Sequence, residues 1–85
     1  MHVGVIHRIS DPQAFQQAEQ KALAAGLPEG FRLPVHAETP DHSTAICIWD
    51  GPSVDAVREL VESTVGEYSQ NEYYEVELEN SPASA

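Results

Sequence analysis

Basic residues are scarce in this sequence. Its 85 residues include 4 Lys and Arg against 14 Asp and Glu, which gives a formal net charge of −10 at pH 7. Proteins that bind nucleic acid need a basic surface for the phosphates, and anionic membranes likewise attract basic segments. The composition therefore argues against both partners. The acidic surplus favours solubility, and it also attracts cations.

Cysteine and long hydrophobic runs are scarce too. Cys47 is the single cysteine, which excludes an intramolecular disulfide framework and a zinc site built from several cysteines. No apolar run is long enough to span a bilayer, and no secretory signal is visible, so we expect a cytoplasmic protein. A chain of 85 residues predicts one small domain, for which a second subunit is a common way to enlarge the core.

The first half of the chain predicts a strand, a helix and a second strand. Residues 1–9 are rich in β-branched side chains, as strands are. The stretch "SDPQ" is a typical helix start, and Gly26 is a typical helix end. Residues 31–38 alternate between apolar and polar side chains, with His36 and Glu38 on the polar face. Pro34 lacks a backbone N–H and predicts an edge strand.

The second half repeats the order strand, helix, strand. Residues 44–50 predict the third strand, "DGPS" with Ser53 as N-cap begins the second helix, and residues 72–79 predict the fourth strand. The order β-α-β-β-α-β predicts an α+β, ferredoxin-like domain over residues 1–80, followed by a flexible tail at 81–85. Its four-stranded antiparallel sheet has the order 4-1-3-2, with both helices on one face.

The predicted sheet has more apolar residues than one covered face requires. In the third strand, either Ile46 and Ile48 or Cys47 and Trp49 must point away from the helices. We expect the two isoleucines to face the helices and Trp49 to face the other side. An exposed apolar patch is typical of an interface. We therefore predict a homodimer, with Tyr73 of the fourth strand buried near the seam.

Two stretches resemble a known superfamily. "VIHRISDPQAF" (residues 5–15) resembles the opening strand and helix of dimeric α+β barrel proteins, including antibiotic-biosynthesis monooxygenase-like members. "AICIWDGPSVDAVRELVESTVG" followed by "NEYYEV" resembles the second half of small barrel proteins that include nickel-binding members. The resemblance implies a homodimer whose two sheets enclose a cavity. It does not imply one activity, because the superfamily hosts monooxygenases, isomerases, haem proteins and binders.

The first functional interpretation is a small apolar or aromatic molecule bound in that cavity by His7, His36, Trp49 and Tyr73. An enzyme of this kind would be monooxygenase- or isomerase-like and would require no cofactor. His7 is then the catalytic candidate, because imidazole moves protons near neutral pH.

The alternative interpretation is a metal site. His7, His36 and Glu38, with Asp41 as a further carboxylate, could hold nickel or another divalent ion. Cys47 is more typical of a small buried hydrophobe than of a nucleophile. A third interpretation is a structural or regulatory module, such as an amino-acid-sensing domain with the same element order.

Overall fold

The computed structural model describes residues 1–79 and confirms the predicted ferredoxin-like fold class. Its elements are β1 (His2–Ile9), α1 (Pro12–Ala25), β2 (Arg32–Glu38), β3 (Thr44–Asp50), α2 (Val54–Val65) and β4 (Ser69–Val76). All strand pairs are antiparallel, and the order β2-β3-β1-β4 is the predicted order viewed from the opposite edge. The predicted tail at 81–85 lies outside the described residues.

Local capping explains where the helices begin. The Asp11 side chain accepts a hydrogen bond from the Ala14 N–H at 3.1 Å, and Ser53 Oγ accepts one from the Ala56 N–H at 3.0 Å. Each bond satisfies one of the free donors at a helix N-terminus. The fourth strand begins at Ser69, earlier than predicted, because Ser69 pairs with Ile9 at the end of β1.

The core lies between the sheet and the two helices. Its buried apolar residues come from β1, β3 and both helices: Val3, Val5, Phe15, Ala45, Cys47, Trp49, Val57, Val61 and Val65. The prediction that Ile46 and Ile48 face the helices is wrong. Directly opposed strand residues share a face, and β3 places Cys47 opposite the fully buried Val5.

An irregularity in β2 changes which residues of this strand face the helices. The pairing with β3 shifts between Arg32 and Val35, around Pro34. Within the shift, Leu33 packs against the core; after it, Val35 pairs with Ile48 on the helix-free face. The prediction of one uninterrupted apolar face over residues 31–38 is therefore wrong. The shift leaves His36 and Glu38 on the side of the helices.

The helix-free face of the sheet is largely apolar. Its apolar side chains come from all four strands: Ile6, Val35, Ala37, Ile46, Ile48, Tyr74 and Val76. Ile46 is 53% exposed and Tyr74 is 50% exposed, so this face is open in the single chain. Within residues 1–79, neither helix has the length and apolar character needed to cross a membrane.

A substitution at Gly51 tests how closely the end of β3 packs against the helices. A Cβ at this position would lie 2.8 Å from Cγ2 of Val57, which is fully buried, and 3.3 Å from the Phe31 ring. We expect Gly51→Ala to lower the free energy of unfolding by about 1–3 kcal/mol, because overpacking displaces core side chains. Urea denaturation measures the loss.

Gly4→Ala is the matched control for this substitution. A Cβ at Gly4 would lie 3.2 Å from a methyl group of Val76 on the helix-free face. This side chain has room to move in a single chain, so both variants are denatured at a protein concentration that keeps the chain monomeric. The control should therefore lose less stability. Equal losses in the two variants would contradict the proposed packing around Gly51.

Candidate metal centre and adjoining cavity

Four side chains meet on the helix-facing side of β2 and β3. His36 pairs directly with Cys47 across the two strands, so their side chains lie on the same face. Glu38 follows His36 by two residues and shares that face. Glu19 reaches the same place from α1. We call these four residues the His36 cluster.

The imidazole of His36 occupies the centre of the His36 cluster. Its Nδ1 lies 3.1 Å from Cys47 Sγ, and its Nε2 lies 2.8 Å from a Glu38 carboxylate oxygen and 3.3 Å from a Glu19 oxygen. One ligand atom from each of Glu19, His36 and Cys47 lies within 4.8 Å of the others. Ligands bound at about 2.0–2.3 Å to one tetrahedral zinc are about 3.3–3.8 Å apart. Small side-chain adjustments would bring these three atoms to that spacing.

The His36 cluster has an excess of acidic groups. Burial raises the pKa of the Cys47 thiol to about 12, and the charges of Glu19 and Glu38 act in the same direction. Burial also raises the pKa of Glu19, whereas the hydrogen bond from His36 lowers the pKa of Glu38. The ion pairs of the described residues bring no Lys or Arg to this cluster.

The turn between β2 and β3 supplies a second histidine that contacts Glu38. His42 Nδ1 lies 3.0 Å from the second oxygen of Glu38, which therefore sits between two imidazoles. Asp41 has a different role. It accepts hydrogen bonds from the backbone N–H and hydroxyl of Ser43 and from the Thr39 hydroxyl, and these bonds lower its pKa to about 2. Asp41 thus builds the turn, and it is not among the hydrogen-bond or ion-pair partners that the structure gives His36.

His7 lies apart from the His36 cluster. It is buried on the helix-facing side of β1, with Nδ1 2.6 Å from Asn71 Oδ1 and the Phe15 ring edge-on at 5.2 Å. Burial lowers the pKa of His7, which favours the neutral imidazole. Of the predicted metal set, the structure therefore brings His36 and Glu38 into contact and holds His7 elsewhere.

Trp49 and Tyr73 also face the helices. Trp49 is 8% exposed and belongs to the core. Tyr73 donates a hydrogen bond to Glu62 of α2, and the Arg58 guanidinium lies 5.0 Å above its ring. The prediction that Trp49 faces the helix-free side is wrong, and so is the placement of Tyr73 at a seam on that side. The four predicted ligand residues therefore do not line a cavity between two sheets.

A small cavity lies beneath the helices, next to the His36 cluster. Four residues with polar side-chain groups border it: His7, Glu19, Trp49 and Thr64, whose hydroxyl donates a hydrogen bond to the Leu60 carbonyl. The rest of its wall comes from the helices and the loop after α1: Ala22, Leu23, Leu27, Leu60, Val61 and Val65. It offers about 30 Å³ to the centres of water molecules, which is enough for one or two of them.

Two residues of the cluster were missing from the sequence-based metal set. Cys47 was interpreted as a core residue, and Glu19 lies in a helix whose position over β2 is set only by tertiary packing. The sequence does hold a signal for Cys47. Asp41 and His42 form the centre of the turn, and His36 and Cys47 lie at equal distances from it, as paired residues of a hairpin do.

Comparison with known proteins supports the fold. No protein-family model matches the sequence, and none of the curated proteins does. The chain is similar to SCO4226 of Streptomyces coelicolor A3(2), whose crystal structure has been solved. The two share 28% sequence identity and superpose with a TM-score of 0.63, and the match covers 100% of both chains.

The environment of Cys47 predicts a thiol of low reactivity. Because burial and two nearby carboxyl groups raise its pKa to about 12, almost no thiolate is present at pH 8. We expect a thiol-specific disulfide reagent to modify the folded, metal-free protein far more slowly than the protein in urea. Absorbance of the released thiol measures both rates. Equally fast modification in both states would contradict the buried, protonated thiol.

Proposed function

We propose that this protein binds a divalent transition-metal ion through Glu19, His36 and Cys47. The observation that carries the proposal is the convergence of one carboxylate, one imidazole and one thiol within 4.8 Å. Glu38 does not bind the metal in this proposal but contacts the ligand His36. Its hydrogen bond to His36 orients the ring, as partners outside the metal shell commonly do for ligating histidines.

The ligand types indicate the class of metal. Thiolate and imidazole favour zinc, nickel, cobalt or copper, whereas magnesium and calcium prefer sites made of oxygen ligands. Three protein ligands leave at least one coordination position for water or a small molecule. A free thiol ligand also suits the reducing cytoplasm that we expect for this protein.

The metal proposal predicts that substitutions of the proposed ligands weaken metal binding, whereas substitution of a histidine elsewhere in the chain does not. We expect His36→Ala and Cys47→Ser each to weaken nickel and zinc binding by more than about 100-fold, because even residues outside the metal shell typically contribute 10–100-fold. His2→Ala is the matched control, since His2 lies on the helix-free side of β1. Isothermal titration calorimetry of the four proteins provides the affinities.

Two further readouts identify the thiolate as a ligand. Binding must remove the proton of Cys47, so the apparent dissociation constant should fall about tenfold from pH 7 to pH 8. Cobalt should produce a thiolate-to-metal charge-transfer band that is absent in Cys47→Ser. Unchanged affinity in both His36→Ala and Cys47→Ser would contradict the proposed site, since adventitious binding to the acidic surface would survive these changes.

We also propose that two copies pair through the helix-free face. The apolar centre of this face is bordered by charged groups, including the Arg8–Glu72 ion pair at 3.1 Å and the amino terminus paired with Asp50 at 3.2 Å. An apolar centre with a polar rim is the usual anatomy of an interface. Gly4 has no side chain in the middle of β1, which keeps the centre of the face flat.

Ile46 provides the test of the homodimer. We expect the native chain to scatter light as a particle of twice its 9.3 kDa mass, because pairing covers the exposed isoleucine. Ile46→Lys should shift the protein to the monomer, since it would bury two charges at the centre of the interface. Gln20→Lys adds the same charge on exposed α1 and should remain dimeric.

Salt provides an independent check on the dimer. Each chain carries a formal charge of −10, so two copies repel and screening should strengthen their association. A native protein that remains monomeric at both low and high salt would contradict the homodimer.

A further inference from the structure

The thiol of the proposed metal site is shielded from solvent. Cys47 is 1% exposed. It lies opposite Val5 in the pairing of β3 with β1, on the side of the sheet that the helices cover. A metal ion in solution therefore does not meet the thiol directly. It first meets a more exposed residue of the surroundings and reaches the thiol from there.

A chain of side-chain contacts connects this thiol with the protein surface. Cys47 Sγ lies 3.1 Å from His36 Nδ1, and the other ring nitrogen of His36 lies 2.8 Å from a Glu38 oxygen. The second oxygen of Glu38 lies 3.0 Å from His42 Nδ1. The His36 side chain is 26% exposed and the His42 side chain is 60% exposed. His42 is therefore the outermost member of this chain of contacts.

The backbone at His42 has an unusual conformation for a histidine. Its φ of 60° lies in the left-handed region, which glycine and asparagine adopt more readily. The His42 N–H donates a hydrogen bond to the Thr39 carbonyl at 2.9 Å, which closes the turn. Residues in such conformations persist where the surroundings hold them, and they are common at functional sites. The chain thus has an imidazole at a turn position that glycine would occupy with less strain.

We propose that His42 and Glu38 form a capture site, where a divalent transition-metal ion binds before it reaches the inner ligands of the proposed metal site. This inference rests on that metal site and adds the route by which it is filled. A neutral imidazole can hold its proton on Nε2, which leaves Nδ1 free to bind the ion. The two ligand atoms, 3.0 Å apart, need to separate only slightly to bind one ion at about 2.0–2.2 Å.

Glu38 connects the capture site with the inner ligands. Its two oxygens contact different imidazoles, so the ion stays bound to this carboxylate while it exchanges His42 for His36. The bonds to the capture site then break, the bonds to the inner ligands form, and the Cys47 proton passes to water. Glu38 afterwards returns to its hydrogen bond with His36, so it is not a ligand of the metal at equilibrium.

A permanently bound second ion fits the capture site less well than a transient one. Zinc-type sites retain the ion with three or four protein ligands, and the capture site offers two. Within residues 1–79, the three-residue group with metal-binding geometry is the inner set, and it does not include His42. The weak binding expected from two ligands suits a site that passes its ion on.

A residue that only captures the ion changes the rates of metal binding without changing the equilibrium. His42→Asn removes the imidazole and keeps a residue that tolerates the left-handed backbone. Stopped-flow absorbance of the cobalt–thiolate band reports when the ion reaches Cys47. We expect the association rate constant to fall about tenfold, because the ion is no longer held at high local concentration beside His36. Dissociation into excess chelator should slow by the same factor, so the dissociation constant should stay nearly unchanged.

Two further variants separate the imidazole from the shape of the turn. His42→Gly also lacks the imidazole and relieves the left-handed strain, so it should slow both rates as His42→Asn does. His2→Asn removes a histidine from the helix-free side of β1 and should leave both rates unchanged.

Three results with a native chain that binds cobalt would overturn the capture site alone. They are an unchanged association rate in His42→Asn, slowing in only one of the two His42 variants, and weaker equilibrium binding with an unchanged association rate. A native chain that binds no cobalt would overturn the metal site together with the capture site.

Discussion

The antiparallel register of β3 with its two neighbours is the constraint on which the rest of this structure depends. Cys47 lies opposite Val5 of β1 on one side and opposite His36 of β2 on the other. The first pairing buries the thiol beneath the helices, and the second places an imidazole beside it. A slip by one residue would exchange the faces of β3 and separate Cys47 from both neighbours.

The same register divides the chain's apolar residues between two surfaces. Val5, Cys47 and Trp49 form the core with the helices, while Ile46 and Ile48 remain on the open face. A domain of this size gains little stability from one core alone. The proposed metal ion and the proposed partner subunit would each stabilise the folded state further, because each binds it and not the unfolded chain.

The sequence predicted the parts of the fold that local signals determine. Asp11 and Ser53 mark the helix starts, and Gly26 follows α1, so the element order and strand order could be derived. Which side chains of each strand face the helices could not be derived from the sequence. In β3 the residues on both faces are apolar, so alternation does not distinguish them, and in β2 the irregularity at Pro34 exchanges the faces within one strand.

The candidate site was predicted only in part for the same reason. His36 and Glu38 were identified because histidine and carboxylate are recognisable ligand types. Cys47 required the strand pairing, and Glu19 required the position of α1 over the sheet. The position of the His7 ring depends on its hydrogen bond to Asn71, which lies 64 residues away in the chain. A short-range sequence pattern does not predict a contact between residues so far apart in the chain.

A crystal structure of the protein grown with nickel would test the central claim most directly. An anomalous difference map locates the metal without reference to any assumed ligand. We predict one strong peak bonded to Cys47 Sγ and a His36 nitrogen, with a Glu19 oxygen completing the protein ligands. A map whose peaks lie only on the acidic surface, with the Cys47–His36 contact unoccupied, would contradict the account.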